Sequence, residues 1–226
     1  LFIALAGKYD LFLSVFDIFK IGIGPSSSHT NGPMIATSMF LSYLKTARDI
    51  VPGSKSFHRI ICTLYGSLAF TGKGHSTDKA ILLGIAGISP NNFETELVNR
   101  IQEKLHNTGY IEVHGFPTIK FNPDSDIIFD YGPPLKQHAN GMIFKVVDED
   151  GNLCTSKTFF SIGGGFVKTD SELENLNAQN NSQNVPYPFS TAAEMMMLAT
   201  KNNISISEMK KQNELIFLSE KSLNSG

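Results

Sequence analysis

The chain has 226 residues, 41% of them hydrophobic, a formal net charge of −2 and two cysteines. That composition supplies a sizeable core and excludes global disorder, a basic nucleic-acid face and a disulfide scaffold. The apolar start LFIALAGKYDLFLSVF is interrupted by Lys8, Asp10 and Asp17, too often for a signal sequence or a membrane span. A cytoplasmic location is therefore expected, with neither nucleic acid nor membrane as a partner.

Residues 10–20 read as a short amphipathic helix, followed by the loop IGIGPSSSHTNG. Pro33 stands where a helix prefers to begin, and MIATSMFLSYLKTA continues with helical periodicity. HRIICTLYG reads as a buried strand. A Gly/Lys/His loop then leads to a helix over Thr77–Ile85, and Asn91–His106 has the pattern of a further amphipathic helix. Strand character follows in YIEVHG, DIIFDY, GMIFKVVDEDG and TSKTFFSIGGGF, with DEDGN as a hairpin signal. Helices and strands mix without regular βαβ spacing. The expected class is therefore α/β (or α+β): a sandwich with a mixed or antiparallel sheet.

From Thr169 the composition turns rich in Asn and Gln and ends in PYP, which reads as a linker. Two helices are predicted after it, each opened by a capping-box pattern, Thr191 with Glu194 and Ser205 with Glu208. They are either the start of a further domain or a hairpin packed back on the first. Cys62 and Cys154 lie in apolar, strand-like runs and read as buried free thiols.

Four segments carry chemistry-bearing residues. In the first, Ser26, Ser27, Ser28 and Thr30 place four hydroxyls within five residues around His29, just before a helix. Free N–H groups at a helix start suit a carboxylate or phosphate; an ordinary capped helix is the alternative. In TGKGHSTDKA, His75 stands on a glycine-flanked loop, with Ser76 or Thr77 as candidate caps of the next helix. Histidine is the side chain suited to proton transfer near neutral pH, although an isolated one is more often a surface residue. His138 and Asn140 in HANGM could touch a small polar ligand, but Asn-Gly more simply makes a turn. The glycines of SIGGGF suggest a tight turn or a close contact. His58, His106 and His114 have no metal-ligand spacing, and neither HExxH nor CxxC occurs.

Taken in order, these segments resemble the signatures of the iron–sulfur-dependent L-serine dehydratases. SVFDIFKIGIGPSSSHTNGPM (Ser14–Met34) resembles the first and LYGSLAFTGKGHSTDKAILLGIAG (Leu64–Gly87) the second. HANGM and SIGGGF resemble the third and fourth, although Ala139 stands where many members carry proline. PYPFSTAAEMMMLA is similar to the passage from the β domain to the α domain in single-chain members.

The resemblance implies a β (substrate-binding) domain over residues 14–168, after an extension at 1–13. A linker at 169–188 and the start of an incomplete helical α domain at 189–226 would follow. It implies conversion of L-serine to pyruvate and ammonia, with a 4Fe-4S cluster and no pyridoxal phosphate. In such enzymes one iron acts as a Lewis acid on the substrate hydroxyl. The cluster ligands are expected in the α domain, in cis or as a separate subunit, and no metal ligand is expected in this chain. Carried over, the family pattern makes His75 the catalytic base. Ser26, Ser27, Ser28, His29 and Thr30 would hold the substrate carboxylate, with Asn140 and His138 as weaker candidates. It also implies a sandwich like the allosteric substrate-binding domain of phosphoglycerate dehydrogenases, and a homo-oligomer is expected. A non-catalytic L-serine-binding regulatory module is the alternative, and a helix-capping structural module a third reading.

Overall fold

The structure is a computed structural model that describes residues 14, 21–47, 57–113, 116, 118–178 and 185–223. In chain order it begins with a π turn at Ser27–Asn31, α1 (Gly32–Ala47), β1 (Arg59–Tyr65) and α2 (Ser67–Thr71). A 3-10 turn at Lys73–His75, α3 (Thr77–Ile85), a second 3-10 turn at Pro90–Asn92 and α4 (Thr95–Thr108) follow. Then come β2 (Tyr110–Ile111), β3 (Ile119–Lys120), α5 (Pro123–Asp126) and β4 (Ile127–Asp130). β5 (Gly141–Val147), β6 (Leu153–Gly163) and β7 (Phe166–Thr169) lead to α6 (Asp170–Ala178), α7 (Ala192–Asn202) and α8 (Ile206–Leu223).

The β-branched residues Ile60, Ile61 and Thr63 suit β1 to a pleated surface. Its alternate residues Ile60, Cys62 and Leu64 are fully buried, as are their partners across the ladder, Val146, Phe144 and Met142. On this floor α1 lays Ala36, Phe40, Leu41 and Leu44, and α3 adds Ile81, Leu82 and Ile85. Phe40 stacks on Phe144 at 5.2 Å, and Phe159 meets Phe144 edge-on at 5.8 Å. Each such buried side chain contributes about 1.5–3 kcal/mol, so helices and sheet hold each other in place. On the other face, Ile61, Tyr65, Ile143 and Lys145 are only half-buried.

The seven strands run in the order β2-β3-β1-β5-β6-β7, and β4 also pairs with β1. β3 and β4 lie parallel to β1, whereas β5 is antiparallel to β1 and to β6. The mixed α/β architecture expected from the sequence is therefore present. Because β1 and β6 run the same way on either side of β5, their carboxyl ends and the start of β5 lie at one end of the sheet. Three of the four candidate segments adjoin that end: Gly66 onward, His138–Gly141 and Ser161 onward.

Several boundaries differ from the sequence reading. α4 starts at Thr95 rather than Asn91, because Pro90–Asn92 form a separate turn closed on Ser89. The hairpin at Asp148–Asn152 forms as expected, with Gly151 at φ +82° and Asp148 accepting from the Asn152 N–H at 2.8 Å. Cys154 is half-buried rather than buried, whereas Cys62 is wholly inside. The stretch read as a linker opens with a helix, α6. Thr169 and Glu172 bracket its start as a capping box, the Thr169 N–H donating to Glu172 Oε2 at 2.8 Å. The predicted helix at 10–20 lies outside the described residues except for Ser14.

Residues 21–173 make one compact unit. Ser14 and the described residues from Glu174 onward belong to a second. There α7 is capped by Thr191, whose hydroxyl accepts the Glu194 N–H, and α8 begins with the Glu208 N–H on Ser205. Asn213 of α8, fully buried, accepts the Tyr187 N–H at 2.9 Å and donates to its carbonyl at 2.8 Å. Among the described residues no helix is long and apolar enough to cross a membrane.

Candidate active site

The first loop is wound up from inside the helix. Ser26 caps the π turn, its hydroxyl accepting the His29 N–H at 3.1 Å and its carbonyl accepting the N–H groups of Thr30 and Asn31. The helix therefore begins at Ser27, ahead of Pro33, where the sequence placed its start. Asn31 anchors the incoming strand of loop by accepting the Ile23 N–H at 3.0 Å. A side chain at Gly22 would meet the Asn31 amide at 2.1 Å, so it would displace the side chain that anchors this loop. The N–H groups of Ser27 and Ser28, at the positive end of α1, have no acceptor among the described residues.

The second loop leaves β1 through Gly66, at φ +54°, where an added Cβ would lie 2.3 Å from the Ala139 carbonyl oxygen. The Ser67 N–H donates to that same carbonyl at 2.9 Å. After α2 the 3-10 turn brings His75 back onto α2, with its Nδ1 at 2.9 Å from the Thr71 carbonyl. A carbonyl can only accept, so in the neutral imidazole Nδ1 carries the proton and Nε2 the lone pair. Ser76 then adopts the left-handed conformation, φ +54°, a strained choice for a non-glycine residue. Neither candidate cap behaves as the sequence suggested. Ser76 makes no side-chain cap bond, and Thr77 spends its hydroxyl elsewhere.

The two loops interlock. The His29 and His75 rings lie 4.9 Å apart, inclined at 41°. His29 Nδ1 is 2.8 Å from Ser28 Oγ, and His29 Nε2 is 3.0 Å from Ser67 Oγ. The Thr30 hydroxyl donates to the His75 carbonyl at 2.8 Å, and the Thr77 hydroxyl donates to the His29 carbonyl at 2.5 Å. Burial, then the neighbouring His75, lower the pKa of His29 from its ordinary value, while a hydrogen bond to Ser67 opposes them. Burial and His75 both favour the neutral form of His29.

The other two segments brace this arrangement. Ser161, fully buried at the end of β6, donates to the Ser28 carbonyl at 2.7 Å. Asn140 donates through Nδ2 to the Ser161 carbonyl at 3.0 Å, and its carbonyl accepts the Ser161 N–H at 3.0 Å. The His138 Nδ1 accepts the Asn140 N–H at 3.0 Å. Asn140 and His138 therefore shape the HANG turn. Gly32 lets the braces meet, since a Cβ there would come within 2.0 Å of Ser161 Oγ.

All the residues singled out from the sequence lie at this one end of the sheet. Ser27 is exposed, Ser26, Ser28, His29 and His75 are half-buried, and Thr30 is buried. Ser67, Thr77 and Ser161 also belong to it. The sequence did not single them out as site residues, since each hydroxyl acts on a group remote in the chain.

The residues present do not suit an iron–sulfur cluster. Cys62 is sealed in the core, where burial pushes its thiol pKa up, away from the thiolate a cluster needs. Cys154 is also raised, by burial and then by Asp148. Among the described residues no group of three or more His, Cys, Asp or Glu could hold a metal ion.

Residues 14–172 match the family described as serine dehydratase beta chain. An L-serine dehydratase of Helicobacter pylori is 38% identical over 201 residues, covering 89% of this chain and 43% of that protein. One of Streptomyces coelicolor is 37% identical over 214 residues, covering 95% and 46%. L-serine dehydratase TdcG of Escherichia coli is 38% identical over 216 residues, again covering 95% and 46%. The chain thus spans less than half the length of these curated relatives.

Proposed function

Because the chain belongs to the serine dehydratase beta chain family, we propose that it is the substrate-binding β domain of an L-serine ammonia-lyase, with His75 as the base. The observation that carries this reading is the anchoring of His75 Nδ1 on the Thr71 carbonyl, which leaves Nε2 as a proton acceptor beside the hydroxyl-rich helix start. On this proposal the Ser27 and Ser28 N–H groups and the Ser28 hydroxyl receive the substrate carboxylate. The positive end of α1 favours that anion.

His75 Nε2 then takes the α-proton. The electron pair of the Cα–H bond becomes the Cα=Cβ bond while the Cβ–O bond breaks, and the hydroxyl leaves as water on taking up the proton that His75 removed. The resulting 2-aminoacrylate tautomerises to an imine, and water hydrolyses it to pyruvate and ammonia. Departure of the hydroxyl calls for Lewis acidity at its oxygen. A 4Fe-4S cluster would supply that Lewis acidity, held by an α domain in the same polypeptide or in a partner subunit.

The test is made on the native protein with whatever α domain or partner subunit accompanies it, prepared without oxygen, with pyruvate formation, iron and acid-labile sulfide measured together. His75→Ala should lower turnover by about 10²–10⁴-fold, the range for a general base, with iron content unchanged. Near-normal turnover would remove His75 as the base. L-serine binding with neither iron nor turnover in the unaltered protein would favour the non-catalytic serine-binding module instead.

A further inference from the structure

Two buried threonines link the histidine loops in a reciprocal way. Thr30, one residue after His29, donates to the carbonyl of His75; Thr77, two residues after His75, donates to the carbonyl of His29. Both are almost wholly buried, Thr30 at 4% exposure and Thr77 at 0%, so neither hydroxyl can exchange its partner for water without cost. The surroundings leave room for both. An added Cβ at Gly24, φ +75°, would press on Thr30 Cγ2 at 3.0 Å, and one at Gly72 would lie 3.1 Å from Thr77 Oγ1. Each acceptor belongs to the backbone of a histidine, and the two bonds cross between the same two loops.

We propose that Thr30 and Thr77 are positioning residues, a crossed latch that sets the distance and tilt between the His29 and His75 rings. A single bond would leave the loops free to pivot about it. Two bonds in opposite directions fix both the separation and the rotation of the backbones from which the imidazoles project. The Thr71 carbonyl then orients the His75 ring, and Ser28 and Ser67 orient that of His29. Thr30, part of the hydroxyl cluster, thereby acts on His75 rather than on substrate.

This inference rests on the dehydratase reading for its kinetic consequence, but its geometry can be tested separately. In the native protein, Thr30→Val and Thr77→Val each remove a hydroxyl while keeping the shape. Each should lower kcat by about 10²-fold, the scale of a 1 Å misplacement, and leave KM for L-serine within about twofold. Thr30→Ser and Thr77→Ser keep the hydroxyl and should restore most of the rate. The His29 imidazole, followed by NMR in histidine-labelled protein, should titrate at a different pH in the valine variants and as in the unaltered protein in the serine variants. A raised KM with intact kcat for Thr30→Val would instead make Thr30 a carboxylate ligand and overturn the latch. Unchanged His29 titration in both valine variants would overturn it as well. If no form made pyruvate, the dehydratase reading would fail while the titration still judged the latch. Should the valine variants not accumulate, the unaltered protein decides: both threonine hydroxyl protons should exchange slowly with solvent, and fast exchange of either overturns the proposal.

Discussion

His29 is the residue whose charge the fold resists most clearly at this end of the sheet. Burial and then the His75 ring disfavour its protonated form, against a hydrogen bond to Ser67. Its folded-state pKa therefore lies below the ordinary histidine value of about 6.5. As pH falls below that value, the unfolded chain takes up the proton first, and stability declines. The contribution is intact above the unfolded pKa and is lost as pH falls through the lowered folded one. His29→Gln removes this titration. Denaturant unfolding at a series of pH values should show the unaltered protein losing stability relative to His29→Gln as pH drops through this window. A difference that stays constant with pH would show that His29 is not held neutral by the fold.

At the scale of elements, the site depends on turns that only glycine can make. Gly66 joins β1 to α2 at φ +54° with its Cα hydrogens against the Ala139 carbonyl. Gly66→Ala should cost about 1–3 kcal/mol from backbone strain alone, with more from displacing the HANG turn. Gly74→Ala, where an added Cβ meets nothing within 4 Å, should change urea stability by about 0.5 kcal/mol or less. Equal effects would contradict the close approach at Gly66. A second element-scale prediction concerns Asp126, fully buried at the end of α5 and paired with Arg59 of β1. Asp126→Ala should cost about 1–3 kcal/mol, since it leaves the Asn122 N–H without its acceptor while the partly exposed Arg59 stays solvated, and thermal unfolding would read it directly. These elements were unevenly legible in the sequence. β1, β5 and α3 follow from apolar runs bounded by glycines, and the hairpin from Asp148 and Gly151. β2 and β3, each two residues long, are too short to show a period. The π turn depends on Asn31 reaching back to Ile23, a contact that no local pattern encodes. The capping box at Thr169 and Glu172 has the same spacing as those at Thr191 and Ser205, but the Asn-rich stretch after it dominated the composition. His29 and His75 could be nominated from the sequence; their meeting, and the parts of Ser67, Thr77 and Ser161, follow from the order of strands in the sheet.

For the whole molecule, the proposed cluster needs ligands, and the chain spans less than half the length of the curated relatives it matches. The thiols of the described chain are poor candidates for them. Cys62 lies at 0% exposure, paired in register with Phe144, and has no room for iron without breaking the core. Cys154 sits on β6 against the Asn152 carbonyl, at the other end of the strand from Ser161 and the histidines. If the cluster belongs to an α domain, neither thiol contributes to it. Cys154→Ala in the native protein should then leave iron and sulfide stoichiometry and turnover unchanged. Cys62→Ala should cost about 1 kcal/mol of stability, a typical core substitution, while the folded fraction keeps its full iron content. Loss of iron from folded, anaerobically prepared Cys154→Ala or Cys62→Ala would place a ligand in this chain and refute the division of labour proposed here. Retention in both, together with loss of turnover in His75→Ala, would separate the proton-transfer half of the site from its metal half.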